Sequence, residues 1–143
     1  MSATLLYRIA AVVLVLFALG HSAGFLTFKP PTAEGLAVRD AMDRVQFQIG
    51  SATFSYGRFY RGFGLSITAY LLFTAFLAWQ LGTLAGRSAV PIGAIAWAFV
   101  ALQMAMLVLS WIYFAAAPAV LSGVVVICLG WAAWLIPAGV AAA

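Results

Sequence analysis

The stretch from Ser55 to Gly82 constrains the fold of this chain more than any other. It begins with two arginines, three glycines and several aromatic residues, and an almost wholly apolar run follows. That run is roughly 18 residues long, which is what one helix needs to cross a hydrocarbon core about 30 Å thick. The stretch therefore predicts a polar loop that leads into a membrane-spanning helix.

Composition supports the same interpretation for the whole chain. Of the 143 residues, 66% are hydrophobic and 7% are charged, which lies far outside the range of soluble globular domains. Only helices and closed barrels satisfy every backbone polar group inside lipid. The apolar runs do not alternate strictly with polar residues, which favours helices over strands. We therefore expect one all-α integral membrane domain over residues 1–143.

Four apolar runs predict four membrane spans, at about residues 5–28, 63–85, 91–114 and 119–136. The first run must end at Pro30 and Pro31, because proline has no backbone donor and forces an extended chain before it. The same run also resembles a secretory signal peptide, with Arg8 ahead of its apolar part and Ala18 and Gly20 in positions typical of a cleavage site.

An amphipathic helix is predicted in the loop after the first span, at about residues 33–49. Thr32 is a suitable N-cap, and Glu34 suits the positive end of the helix. Apolar residues recur there with helical spacing, at Val38, Ala41, Met42, Val45 and Ile49. On the polar side we expect two pairs four residues apart, Arg39 with Asp43 and Asp40 with Arg44. The predicted fold is a transmembrane four-helix bundle with one amphipathic interfacial helix in its first loop.

The few charges of the chain bear on its orientation and on its partners. Seven basic and three acidic residues give a net charge of +4. Most of the basic residues lie in the long first loop, namely Lys29, Arg39, Arg44, Arg58 and Arg61. The positive-inside rule therefore places this loop in the cytoplasm and both termini outside. Nucleic acid is not an expected partner, because binding it needs a broad basic surface in water.

His21 is the only histidine, and it lies late in the first span. An ionisable group at such a depth is a candidate functional residue, because its burial is unfavourable without a partner. One interpretation is an axial ligand for haem or a chlorophyll-type pigment, or a proton relay. The other is a structural histidine near the membrane surface that bonds to a loop residue such as Gln46, Gln48 or Tyr56.

Other chemistry has little support in the sequence. The only carboxylates are Glu34, Asp40 and Asp43, whose spacing on one helix does not bring all three to one point. No metal site is predicted, because further ligands are lacking. The single cysteine, Cys128, lies in an apolar run and is expected to be a small packing residue. We therefore predict no catalytic residues.

Polar residues within the apolar runs suggest a small cavity. Ser66, Tyr70 and Thr74 form one stripe, and Gln103 and Ser110 share a face of another span. The stripes are interpreted either as the lining of a cavity near His21 or as interhelical hydrogen bonds. The first interpretation predicts a ligand-binding set of His21, Tyr56, Tyr60, Ser66, Tyr70 and Gln103.

Several glycines are candidates for close helix packing. Two pairs match the small-xxx-small pattern, Gly20 with Gly24 and Gly82 with Gly86. Gly62 and Gly64 do not form a phosphate-binding loop, because the lysine and the preceding strand are absent. We expect them to let the second span approach a neighbouring helix.

The segments GHSAGF, KPP, V-x-x-AM and SYGRFYRGFGLSITAYLLFTAFLAWQLG together resemble a family of uncharacterised small bacterial four-helix membrane proteins. The chain is also loosely similar in size and topology to DoxX-type membrane proteins. The resemblance implies four spans and a bacterial inner membrane, and it implies no activity.

From these observations we expect a non-catalytic accessory or assembly subunit. Its partners would be the lipid bilayer and other membrane protein subunits or a second copy. The alternative is a binder or carrier of a small lipophilic molecule, with a pocket near His21 and the second span. A third possibility is a haem or pigment protein ligated by His21.

Overall fold

The computed structural model describes residues 1–87 and 92–136. Within these ranges the chain is mostly helical, with one short β-hairpin. The elements in chain order are α1 (Ala3–Thr27), α2 (Ala33–Arg44), β1 (Gln46–Ile49), β2 (Ala52–Ser55), α3 (Tyr56–Ala85), α4 (Gly93–Tyr113) and α5 (Ala116–Trp134).

Four of these helices, α1, α3, α4 and α5, are long and apolar enough to cross a membrane. They contain 25, 30, 21 and 19 residues, and about 20 are needed to span the hydrocarbon core. The four helices indicate a multi-pass membrane protein, as the sequence predicts.

The ends of the spans differ from the prediction where local capping decides them. The third helix of the chain, α3, begins at Tyr56 instead of residue 63, because the Ser55 hydroxyl accepts a hydrogen bond from the Arg58 backbone N–H at 3.1 Å and caps it. The last helix, α5, begins at Ala116 and contains Pro118 in its first turn, where the missing N–H leaves no helical bond unmade. The predicted start of the third span, Pro91, lies outside the described residues.

The predicted amphipathic helix over residues 33–49 is correct at its start and wrong at its end. Thr32 caps α2, and its hydroxyl accepts from the Gly35 backbone N–H at 3.1 Å. The helix ends at Arg44, and residues 46–55 form the antiparallel hairpin of β1 and β2. The described chain is therefore not all-α.

The alternation of residues 45–49 explains the hairpin. Apolar Val45, Phe47 and Ile49 alternate with two glutamines, which is the period of a strand. Ile49 pairs with Ala52 across a two-residue turn that begins at Gly50, whose φ is +61°. A positive φ at the first turn position alone is typical of a type II′ turn, where glycine avoids the strain of a side chain.

Two groups of residues form separate compact units. The first unit contains Met1–Phe17 and the described part of Leu71–Ala143, and the second contains Ala18–Tyr70. In the first unit, α4 and α5 pack against each other around a two-residue connection. The Ser110 and Ser122 hydroxyls, one from each helix, lie 3.4 Å apart within hydrogen-bond distance.

The first unit also brings the start of α1 against the end of α3. Its buried residues recur with helical spacing on both segments, at Leu6, Tyr7, Ala10, Ala11 and Leu14 on α1 and at Leu71, Ala75, Ala78 and Leu81 on α3. Gly82 allows close approach, because a Cβ added there would lie 3.0 Å from Cβ of Tyr7.

Candidate functional site

The second unit holds the histidine and most of the charged side chains of the chain. His21 is half-buried on α1, and its Nε2 lies 3.0 Å from the backbone carbonyl oxygen of Gly64 on α3. Because a carbonyl oxygen only accepts hydrogen bonds, Nε2 carries the proton and donates it. The expected partners Gln46, Gln48 and Tyr56 are therefore wrong, and the observed partner is backbone.

This bond bears on the pigment interpretation. Axial ligation through Nε2 would require breaking the hydrogen bond to Gly64 and leaving its carbonyl without that donor. The His21 ring also stacks on the Phe25 ring, with centroids 5.8 Å apart and an interplanar angle of 6°. The observed surroundings of His21 favour a structural role.

Gly64 makes this arrangement possible. Gly64 is buried, and a Cβ added there would lie 2.5 Å from both Cε atoms of Phe25 and closer still to its Cζ. The Phe25 ring in turn contacts the Tyr60 ring, at 5.4 Å between centroids. His21, Phe25, Tyr60 and Gly64, which we call the histidine cluster, thus pack against one another in the second unit.

A second polar contact adjoins the histidine cluster. The hydroxyls of Ser22 and Thr68 lie 2.9 Å apart, and Thr68 also donates to the Gly64 carbonyl at 3.4 Å. Neither residue belongs to the stripe of Ser66, Tyr70 and Thr74 that the sequence predicts. The feature of the sequence that could have indicated this contact is that each of the two apolar runs carries a hydroxyl residue, Ser22 in the first and Thr68 in the second.

The carboxylate of Asp43 has a different partner from the one expected. It forms an ion pair with Arg61, at 2.9 Å between Nη1 and Oδ1. The predicted partner, Arg39, donates instead to the Phe28 carbonyl. The pairing across 18 residues is possible because Gly57, which is buried, leaves room for the Asp43 side chain against α3.

A groove does exist in the second unit, away from His21. It has a volume of about 340 Å³ and is lined by Phe54, Arg58, Phe59, Gly62, Phe63 and Ser66. Ser66 is therefore the one member of the predicted ligand-binding set that lines it. Tyr56 packs on Phe47 of the hairpin, at 4.8 Å between ring centroids.

The remaining predicted residues have other positions. Tyr70 is half-buried on α3. Gln103 belongs to the first unit, is 2% exposed on α4, and its Nε2 has no hydrogen-bond partner among residues 1–87 and 92–136. Within those same ranges, no three His, Cys, Asp or Glu side chains lie close enough to hold a metal ion. Cys128 is buried with a free thiol.

The predicted packing glycines fall into two groups. A Cβ at Gly64 or Gly82 would meet a side chain of the same unit, and one at Gly86 would make ordinary contacts. A Cβ at Gly20, Gly24 or Gly62 would meet no atom of the described chain within 4 Å. Within residues 1–87 and 92–136, the close approach that these last three glycines allow is thus not used.

Comparisons with known proteins do not add to this description. No protein-family model, curated protein or solved structure matches the chain. The assignment of function therefore rests on the geometry of the described residues.

Proposed function

We propose that this chain is a non-catalytic accessory or assembly subunit of a larger complex in the bacterial inner membrane. Its four long helices form a transmembrane bundle, with the first loop on the cytoplasmic side and both termini outside. The end of α1 packs against a helix of another membrane protein or of a second copy of the chain.

The observation that carries the proposal is the open face at Gly20 and Gly24. The two residues are four apart and therefore share one face of α1, and both are exposed. Small residues at this spacing let two helices approach closely in lipid, where packing and not the hydrophobic effect drives association. The same chain uses Gly64 and Gly82 in this way internally, which supports an intermolecular use of the open pair.

The state of the reactive side chains supports a role without catalysis. His21 donates to a backbone carbonyl, and Asp43 neutralises Arg61. A general acid or base must reach a substrate proton, so a group engaged in a structural contact is poorly placed for that role. These contacts stabilise the second unit instead.

Photo-crosslinking in native membranes tests the proposed packing face. A photoreactive amino acid replaces Thr27, which is exposed and lies on the face of the open glycines, three residues after Gly24. A matched control replaces Leu26, which is 58% exposed and lies about 100° around α1 from Thr27. We expect a discrete protein adduct from position 27 and none of the same mass from position 26. Adducts with lipid alone from both positions would contradict the proposal.

A second set of variants links the adduct to the glycines. The double substitution Gly20→Leu and Gly24→Leu fills the notch without a clash inside the chain, so the protein should fold and lose the adduct at least fivefold. Gly130→Leu is the control, because Gly130 on α5 is equally free of neighbours within 4 Å. If a bare monomer is extracted in mild detergent whatever the variant, the chain is not a subunit.

A further inference from the structure

The groove near the start of α3 combines an apolar floor with a charged mouth. Arg58, Gly62 and Ser66 follow one another at four-residue steps and so lie along one face of the helix. Eight residues of helix correspond to about 12 Å. Gly62 has no side chain to close this path, and nothing lies within 4 Å of its missing Cβ. The groove is therefore open along this face of the helix.

Aromatic rings form one side of the groove. Phe59 and Phe63 pack edge to face with centroids 4.7 Å apart, and they are 47% and 59% exposed. Phe54 of the hairpin lies at the Arg58 end of the groove, and the centroid of its ring is 5.5 Å from Cζ of the Arg58 guanidinium. The walls are therefore apolar, and polarity is confined to the two ends.

Arg58 is the charged group of the groove, and its charge is not neutralised. Among residues 1–87 and 92–136, Arg61 forms an ion pair with Asp43, and no carboxylate lies within ion-pair distance of Arg58. Arg58 is also the third residue of α3, where the helix dipole favours an anion. The mouth of the groove is thus complementary to one negative charge.

The length of α3 places this mouth at the depth of lipid headgroups. Thirty residues of helix extend for about 45 Å, against about 30 Å of hydrocarbon. About ten residues therefore project beyond the hydrocarbon, and the arginines near Tyr56 identify the starting end as the one that projects. From there the groove runs from Arg58 toward the hydrocarbon at Ser66.

We propose that this groove is a binding site for one anionic glycerophospholipid. Its phosphate binds the Arg58 guanidinium, and the first part of one acyl chain lies over Gly62 against Phe59 and Phe63. The volume of about 340 Å³ is at the lower end of small-molecule sites, which fits part of a lipid and not a whole one. The groove shares no lining residue with the packing face at Gly20 and Gly24.

Native mass spectrometry of the full chain in detergent tests the site. The probes are phosphatidylglycerol and phosphatidylcholine with the same acyl chains, added one at a time. We expect Arg58→Gln to weaken retention of phosphatidylglycerol about tenfold, or about 1.4 kcal/mol, because a charge-assisted hydrogen bond to phosphate is lost. Arg44→Gln removes the same charge from the same unit outside the groove, and we expect less than about a twofold change from it.

Two further arms separate the lipid from other occupants. Gly62→Leu fills the groove with a side chain and makes no clash inside the described chain. We expect it to weaken retention of both lipids while the helical circular dichroism signal stays unchanged. Inorganic phosphate should not displace the lipid, because it cannot fill the aromatic part of the groove.

Three results would overturn the proposal. The first is an equal loss in the Arg58→Gln and Arg44→Gln proteins, which would reduce the effect to net charge. The second is displacement of the lipid by inorganic phosphate. The third is a change of oligomeric state in the Gly62→Leu protein without a change in lipid retention, which would identify the occupant as a second copy of the chain.

Discussion

Substitution of Gly64 by alanine tests the histidine cluster directly. Alanine in a helix interior is favoured over glycine by about 0.5–1 kcal/mol, so without a neighbour the change would stabilise the protein. At Gly64 the new Cβ would lie 2.5 Å from two atoms of the Phe25 ring, and ordinary contact requires the ring to retreat by roughly 1 Å. The ring cannot do so freely, because it lies between His21 and Tyr60.

The net effect follows from these two opposing contributions. Overpacking of this kind is unfavourable by about 1–3 kcal/mol. After the gain from helix propensity is subtracted, the Gly64→Ala protein should lose up to about 2.5 kcal/mol. The matched control is Gly62→Ala, two residues away on the same helix, where no atom lies within 4 Å of the added Cβ. That variant should gain up to about 1 kcal/mol. The sign of the change therefore differs between two identical substitutions.

The assay is reversible unfolding of the purified protein by sodium dodecyl sulfate in mixed micelles, followed by circular dichroism. Phe25→Leu in the Gly64→Ala background should restore part of the lost stability, because the smaller side chain makes room for the Cβ. Equal shifts of the same sign for Gly62→Ala and Gly64→Ala would refute the reasoning, since they would show that the cluster is not packed as described.

Three further predictions concern the hairpin, α4 and the ion pair. Gly50→Ala should destabilise the hairpin by about 1–2 kcal/mol, because φ is +61° there; slower proteolysis of this loop in the variant would contradict it. Gln103→Met should leave thermal stability unchanged or raise it, because it removes a buried Nε2 that has no partner in the described chain, and a clear fall in melting temperature would count against this. Asp43→Asn should lower stability by less than about 1 kcal/mol, because the ion pair with Arg61 is about half exposed, and urea or detergent titration should show the loss shrinking at high salt.

The region between the first two spans shows where sequence reasoning succeeded and failed. Thr32 was recognised as an N-cap because its type and position suffice to predict a cap. The alternation from Val45 to Ile49 was equally visible, and with Gly50-Ser51 it matches the pattern of a hairpin. It was missed because the helical spacing of the preceding apolar residues was extended across it.

The residues of the candidate site were harder to predict, because they depend on contacts between distant parts of the chain. Beside His21 the Phe25 ring lies against Gly64, and a groove lies instead at Arg58, Gly62 and Ser66. Nothing in the local sequence says which glycine receives a side chain and which remains open. The groove at Arg58 required α3 to begin at Tyr56, and the chain there had been interpreted as a loop.

By itself the sequence determined the four helices able to cross a membrane within residues 1–87 and 92–136, because the length and polarity of an apolar run are local properties. Only the tertiary structure decided which partners the rare polar groups take. His21 bonds to a carbonyl 43 residues away, and Asp43 pairs with Arg61 instead of the arginine four residues before it. Both choices depend on how closely two segments approach, and that distance is determined by the packing of side chains against glycines from elsewhere in the chain.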